Sequence, residues 1–255
     1  MKLYHYTTFE KFVSFILPQM QLRFSPFSSC NDPFEFYRLI QIYLSPVLPP
    51  STMEKLSAEF DTQIKMYSLI CFSQDDEKND RSGWKRPSMW AHYADNHQGV
   101  CLEFDFDETI LKKYGEPAAI EYIHDLPTIK PFCECPSGNE DEWIRNIIEK
   151  YIDDLKPISF FKKLSDWSVE KEYRIIKKRS DSMDYYLPIK DSLSAVYLGF
   201  KASVGGKDSC KANILQNLLE GQNILLYIFD DETIERVNFY EFKLASQLNS
   251  KWGKR

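Results

Sequence analysis

The chain has 255 residues, a formal charge of -6, and 43% hydrophobic, 15% aromatic and 27% charged residues. That length suits one core, the composition is globular, and the 18 Phe and 15 Tyr favour strands over a helical bundle. The acidic balance excludes a whole-surface electrostatic grip on nucleic acid and leaves room only for local basic patches such as "IKKR".

The chain opens on a strand signal, "LYHYT", and not on a charged segment followed by an apolar signal core. No stretch reaches the roughly 18 apolar residues that cross a bilayer, so a cytoplasmic protein without a membrane partner is expected. From Thr7 to Leu17 the apolar positions Phe9, Phe12, Val13, Ile16 and Leu17 follow helical spacing. Thr7 and Glu10 match a capping box, and Pro18 is expected to close the helix. A short strand, "QLRFS", and a turn-rich loop, "PFSSCNDPFEF", come next.

A helix is expected from Thr52 to Lys65, after the linker "LSPVLPPS". "MYSLICFS" is a nearly continuous apolar run, as in a strand covered on both faces. The long polar loop "QDDEKNDRSGWKRP" leads to a short helix, "MWAHYADN", which Ser88 can cap. "GVCLEFDF" is a strand, Glu108 to Tyr114 a helix, and "AIEYI" a strand. Trp143, Ile147, Ile148, Tyr151, Ile152 and Leu155 mark a long helical stripe. "SVEKEYRIIKK" runs from loop into strand. "LSAVYLGF" and "NILLYIF" are buried strands around a helix containing Ile214, Leu215, Leu218 and Leu219. Without a regular βαβ rhythm, the pattern reads as one α+β domain over residues 1–255, with its core at about 3–242 and a flexible tail.

Six cysteines, four of them scattered, fit free thiols. The pair in "CEC" lacks the spacing and partners of a zinc knuckle, so no metal site is expected. Three segments carry candidate chemistry. His5, between Tyr4 and Tyr6, can be core filling, a metal ligand or a ligand-binding group, and a lone histidine of this kind is more often a hydrogen-bonded structural residue than a functional one. Trp90 and Tyr93 share a helix face and can be a core pair. If residues 170 to 174 are extended, Glu170, Glu172 and Arg174 share a face, either as a solvated edge partnered by Lys171 and Arg174 or as a buried pair that needs a cation, proton or ligand hydroxyl.

"LYHYTTFEKFVSFI", "LRFSPFSSCNDPFEF", "LICFS", "MWAHYADNHQGVCLEFD" and "DWSVEKEYRI" together resemble the bacterial family known as domain of unknown function 2971, over roughly residues 3 to 230. More distantly, a strand with His and Thr followed by a helix ending in an apolar pair is similar to the start of the ADP-ribosyltransferase superfamily. That resemblance implies an ADP-ribosyltransferase-like fold of mixed sheets with flanking helices, and NAD as the substrate. His5, with Thr7 and Tyr6 beside it, would hold ribose, Tyr93 would be the aromatic at nicotinamide, and Glu172 the catalytic carboxylate with Glu170 two residues earlier. His5 and Glu172 would then lie on neighbouring strands facing one pocket. Asn31 and Asp32 would offer hydrogen bonds to the nucleotide, although turn chemistry explains them equally, and Arg23 and Arg38 could meet its diphosphate.

The chemistry suits the residue types. Nicotinamide loss passes through an oxocarbenium-like state that a carboxylate stabilises. The expected activity is transfer of ADP-ribose to an unknown acceptor, protein or nucleic acid, or hydrolysis of NAD. Two alternatives stand beside it: a non-catalytic module binding a nucleotide, nucleic acid or protein, and a nuclease or phosphotransferase acting on RNA ends.

Overall fold

The computed structural model describes residues 1–30, 32, 48–125, 138–179, 185–203 and 209–228. The "CEC" pair, Asn31, Arg38 and the C-terminal tail lie outside them. In chain order the strands are β1 (Lys2–Thr7), β2 (Gln21–Arg23), β3 (Ser25–Pro26), β4 (Tyr67–Ser73), β5 (Val100–Asp105), β6 (Glu116–Ala119), β7 (Glu121–Ile123), β8 (Lys162–Leu164), β9 (Glu172–Lys178), β10 (Tyr186–Pro188), β11 (Leu193–Leu198) and β12 (Leu225–Tyr227). The helices are α1 (Phe9–Lys11), α2 (Leu17–Gln19), α3 (Pro50–Ile64), α4 (Pro87–Tyr93), α5 (Glu108–Tyr114), α6 (Glu140–Ser159) and α7 (Cys210–Leu219). This is a mixed α+β architecture. Among the described residues no helix is long and apolar enough to cross a membrane.

Seven strands form the main sheet in the order β12-β11-β5-β1-β4-β9-β6, with β3 as an eighth against β4. All its pairings are antiparallel except β11 with β12. Strand alternation sorts the side chains onto two faces. Leu3, Phe72, Leu102, Phe104, Tyr173, Ile175 and Val196 face the largest core, which the helical segment after β1 and α7 cover. Tyr4, Tyr6, Cys101 and Tyr197 face the other way, beneath Met89 and Trp90 of α4. Farther along that second face, Leu69 and Ile176 meet α3 and α6.

The sheet is forked. β1 and β4 share the registered pair Tyr4↔Ser73, while β3 occupies the same edge of β4 at Leu69 and Ser68. Between these two contacts the Cys71 carbonyl is met by a side chain: His5 Nδ1 lies 2.9 Å from it.

Several local expectations change. Thr7 belongs to β1, and the cap is Thr8, whose hydroxyl accepts from Lys11 N. Pro18 does not end the helix. A π-helical turn, Phe12–Ile16, precedes it, Pro18 sits in the first turn of α2, and Met20 closes the segment at φ 48°. A wide turn of this kind accommodates a residue that has no N–H to give. Ser88 does not cap α4, because the helix already starts at Pro87, and the Ser88 hydroxyl is buried inside its first turn.

Candidate functional site

The second face of the sheet carries a buried ionic network. Glu172 opens β9 opposite Ser73 of β4, and alternation places Arg174 on the same face. The condition that residues 170 to 174 are all extended is not met, because Glu170 ends a 3-10 helix, Ser165–Glu170. Lys171, left-handed at φ 46°, turns the chain so that both carboxylates still reach one place. The left-handed turn, not strand alternation, brings Glu170 to Glu172.

Lys163 of β8 joins them: its Nζ is 2.9 Å from Glu170 Oε2 and 2.6 Å from Glu172 Oε2. Arg174 Nε is 2.6 Å from Glu172 Oε1, and Arg174 Nη1 donates to the Phe160 carbonyl at 3.0 Å. Tyr93, at the end of α4, donates its hydroxyl to Glu170 Oε1 at 2.6 Å. The Tyr122 hydroxyl accepts from Glu172 N at 2.8 Å, and the Ser73 hydroxyl donates to the Glu170 carbonyl. Arg86, in turn, donates through Nη1 to Ser73 Oγ at 2.8 Å. Lys163 is 7% exposed, Glu170 4%, Glu172 5%, Arg174 1% and Arg86 2%. The solvated-edge reading of "EKE" therefore fails, although Arg174 is a partner as that reading held. Lys171 instead faces Asp76 at 3.4 Å.

Burial alone would raise the Glu172 carboxyl, but Arg174 and Lys163 outweigh it and hold the group down at about 2. Glu172 is thus a carboxylate at any physiological pH. Burial, and then the Glu172 charge, pushes the neighbouring Cys71 thiol well up, so it stays protonated.

His5 takes no part in this centre. Registered partners share a face, so Tyr4, Ser73 and Glu172 lie on one side of the sheet and His5 on the other. β4 also separates the two strands. The shared pocket for His5 and Glu172 is therefore corrected. The His5 ring packs edge-on against Phe72 at 5.9 Å, and its Nδ1 must be the donor, since a carbonyl can only accept. Burial lowers the His5 pKa, the Cys71 bond opposes this, and Lys11 reinforces it, so the ring is neutral.

Of the other candidates, Thr7 is buried on the His5 side of β1. Tyr6 is on the network's side, edge-on to Trp90 at 5.2 Å, with its hydroxyl donating to Gly83 O at 2.7 Å. Arg23 is exposed on the two-stranded ribbon of β2 and β10, a sheet apart from the network. Asp32 is buried, and Asn31 is outside the described residues. Sequence reasoning missed Lys163, Ser73, Arg86 and Tyr122. Only Lys163 left a trace, a cation set among Phe160, Phe161 and Trp167; its Nζ lies 5.3 Å from the Trp167 ring centre. Among the described residues no cluster of His, Cys, Asp and Glu is arranged to hold a metal ion.

Comparison with curated proteins gives no match, and comparison with solved structures gives none either. Residues 89–175 match the model of the family described as protein of unknown function (DUF2971), a stretch that contains Tyr93, Tyr122, Lys163, Glu170, Glu172 and Arg174.

Proposed function

We propose that the protein acts on NAD as an ADP-ribosyltransferase-like protein, with its centre at Glu172, Glu170 and Tyr93, transferring ADP-ribose to a protein or nucleic-acid acceptor or hydrolysing NAD. The observation that carries this reading is the meeting of Tyr93 with the Glu170 carboxylate, 77 residues away, beside Glu172, which Lys163 bridges to Glu170. Buried ion pairs contribute little net stability compared with apolar packing, so a fold has no energetic need of this network.

In the proposed step the bond between nicotinamide nitrogen and ribose C1′ breaks, and its electron pair leaves with nicotinamide, which becomes neutral. The charge left on the ribose is stabilised by the Glu172 carboxylate through a ribose hydroxyl. The acceptor oxygen or nitrogen, or water, bonds to C1′ and gives up its proton, for which Glu170 is the nearby base. The ribose would take the place that the Lys163 ammonium and Tyr93 hydroxyl now hold. Both donors come from elements outside the main sheet, α4 and β8, so they can withdraw without breaking it. His5 is structural in this scheme.

A second reading is a non-catalytic binding module. It is favoured by the pairing of both carboxylates with cations and by the opposed faces of His5 and Glu172. Nicotinamide release separates the two. The wild-type chain should release nicotinamide from NAD, and Glu172→Gln should lower the rate on the order of 100-fold with NAD still bound. Binding without release supports the module, and wild-type protein that neither binds nor consumes NAD rejects the NAD reading.

A further inference from the structure

We infer that Arg86 is the anion-holding group of a site for a small oxyanion, a phosphate group either free or carried on a nucleotide, at the edge of the ionic network. A guanidinium is charged at every accessible pH, and burying one without a counter-charge is costly. Arg86 is 2% exposed. Its Nη1 donates to Ser73 Oγ at 2.8 Å and to Gly83 O at 3.3 Å, both neutral acceptors. Its Nη2 is buried and has no acceptor among the described residues.

Asp76 and Asp75 attract the Arg86 charge, but neither pairs with it directly. Asp75 Oδ1 accepts from Gly83 N at 2.7 Å, and Asp76 Oδ2 accepts from Asn79 at 2.8 Å and faces Lys171 at 3.4 Å. Glu170 and Glu172 are held by Lys163, Tyr93 and Arg174. Among the described residues no carboxylate comes within ion-pair distance of Arg86. The orphaned donor thus sits on a buried cation with no acid in direct contact.

A trapped water would satisfy the donor but not the charge, whereas a phosphate oxygen satisfies both. Ser73 is a positioning residue here. Its own proton goes to the Glu170 carbonyl, so its oxygen is left to accept from Arg86 and fix the guanidinium. The site goes beyond the NAD reading, since it requires an oxyanion and no cleavage.

The test is calorimetric titration of the full chain with inorganic phosphate and, in a separate arm, with ADP, at constant ionic strength against chloride. Phosphate stabilises folded proteins non-specifically by exclusion, so saturable heat is the readout and not a rise in melting temperature. Saturable binding is expected in at least one arm, weakened about tenfold or more in Arg86→Met, the order lost with a charge-assisted contact. Binding of phosphate alone identifies a free oxyanion, and binding of ADP alone a nucleotide. Arg86→Lys keeps the charge but loses the fork, and it should also bind more weakly, which decides the matter if Arg86→Met does not fold. No saturable binding to wild type in either arm, or equal binding by Arg86→Lys and wild type, overturns the inference. Nicotinamide release measured on the same samples reports the NAD reading separately, so either can fail alone.

Discussion

Lys163 holds the two glutamates in one place, and removing it has a calculable consequence. Lys163→Met keeps the stem but leaves Glu170 and Glu172 short of a counter-charge, which should cost about 3–5 kcal/mol at neutral pH. The pH dependence has a definite sign. Glu172 is depressed from its ordinary 4.5 to about 2, so in wild type its contribution is complete above about pH 4.5 and is lost as the pH falls toward 2. The deficit of Lys163→Met relative to wild type should therefore narrow over that window in urea unfolding. A deficit below about 1 kcal/mol, typical of an exposed pair, or one that does not change with pH, would contradict the burial argument. His5 shows how far a single residue can be read from sequence. Its aromatic neighbours and strand were legible, and the structural role was the commoner of the open readings. The acceptor that decides between them, the Cys71 carbonyl, becomes available only because β1 and β3 diverge along β4.

At the scale of elements, α3, α5, α6 and α7 were legible because their apolar spacing is regular and their covering partners are generic. The failures are local chemistry that tertiary structure overrode. Thr7 yields its capping role because β1 runs on through it, and Pro18 is absorbed by a π turn. The loop-to-strand passage in "SVEKEYRIIKK" was legible but not its position, since the left-handed Lys171 that separates Glu170 from the strand has no marker such as glycine. The loop from Gln74 to Arg86 is placed by a glycine whose need is steric. A Cβ on Gly83 would lie 2.1 Å from Cδ2 of the buried Tyr4 ring, and the Gly83 carbonyl is the acceptor for both Tyr6 and Arg86. Gly83→Ala should cost about 1–3 kcal/mol, as overpacking does, and displace the turn over the polar face. Urea unfolding measures it, and an unchanged midpoint would show that the turn is not seated on Tyr4.

For the whole molecule, the α+β class followed from composition and the lack of a βαβ rhythm, but the strand order did not. β1 lies between β5 and β4, and β9 beyond β4, pairings between segments up to about a hundred residues apart that no local pattern encodes. That order brings β9 toward Tyr93 while the register turns His5 to the opposite face, so the candidate site was half legible: its acids, its aromatic and Arg174 from the sequence, Lys163, Arg86 and the face of His5 only from the fold. The proposed function requires NAD to bind at the network on this face. Amide hydrogen exchange over the entire chain, with and without NAD, tests it most directly. Bound there, NAD should slow exchange in Arg86–Tyr93 and Lys163–Arg174 and leave Tyr186–Leu198 unchanged. No protection anywhere, or protection confined to segments away from Tyr93, Glu170 and Glu172, would contradict it.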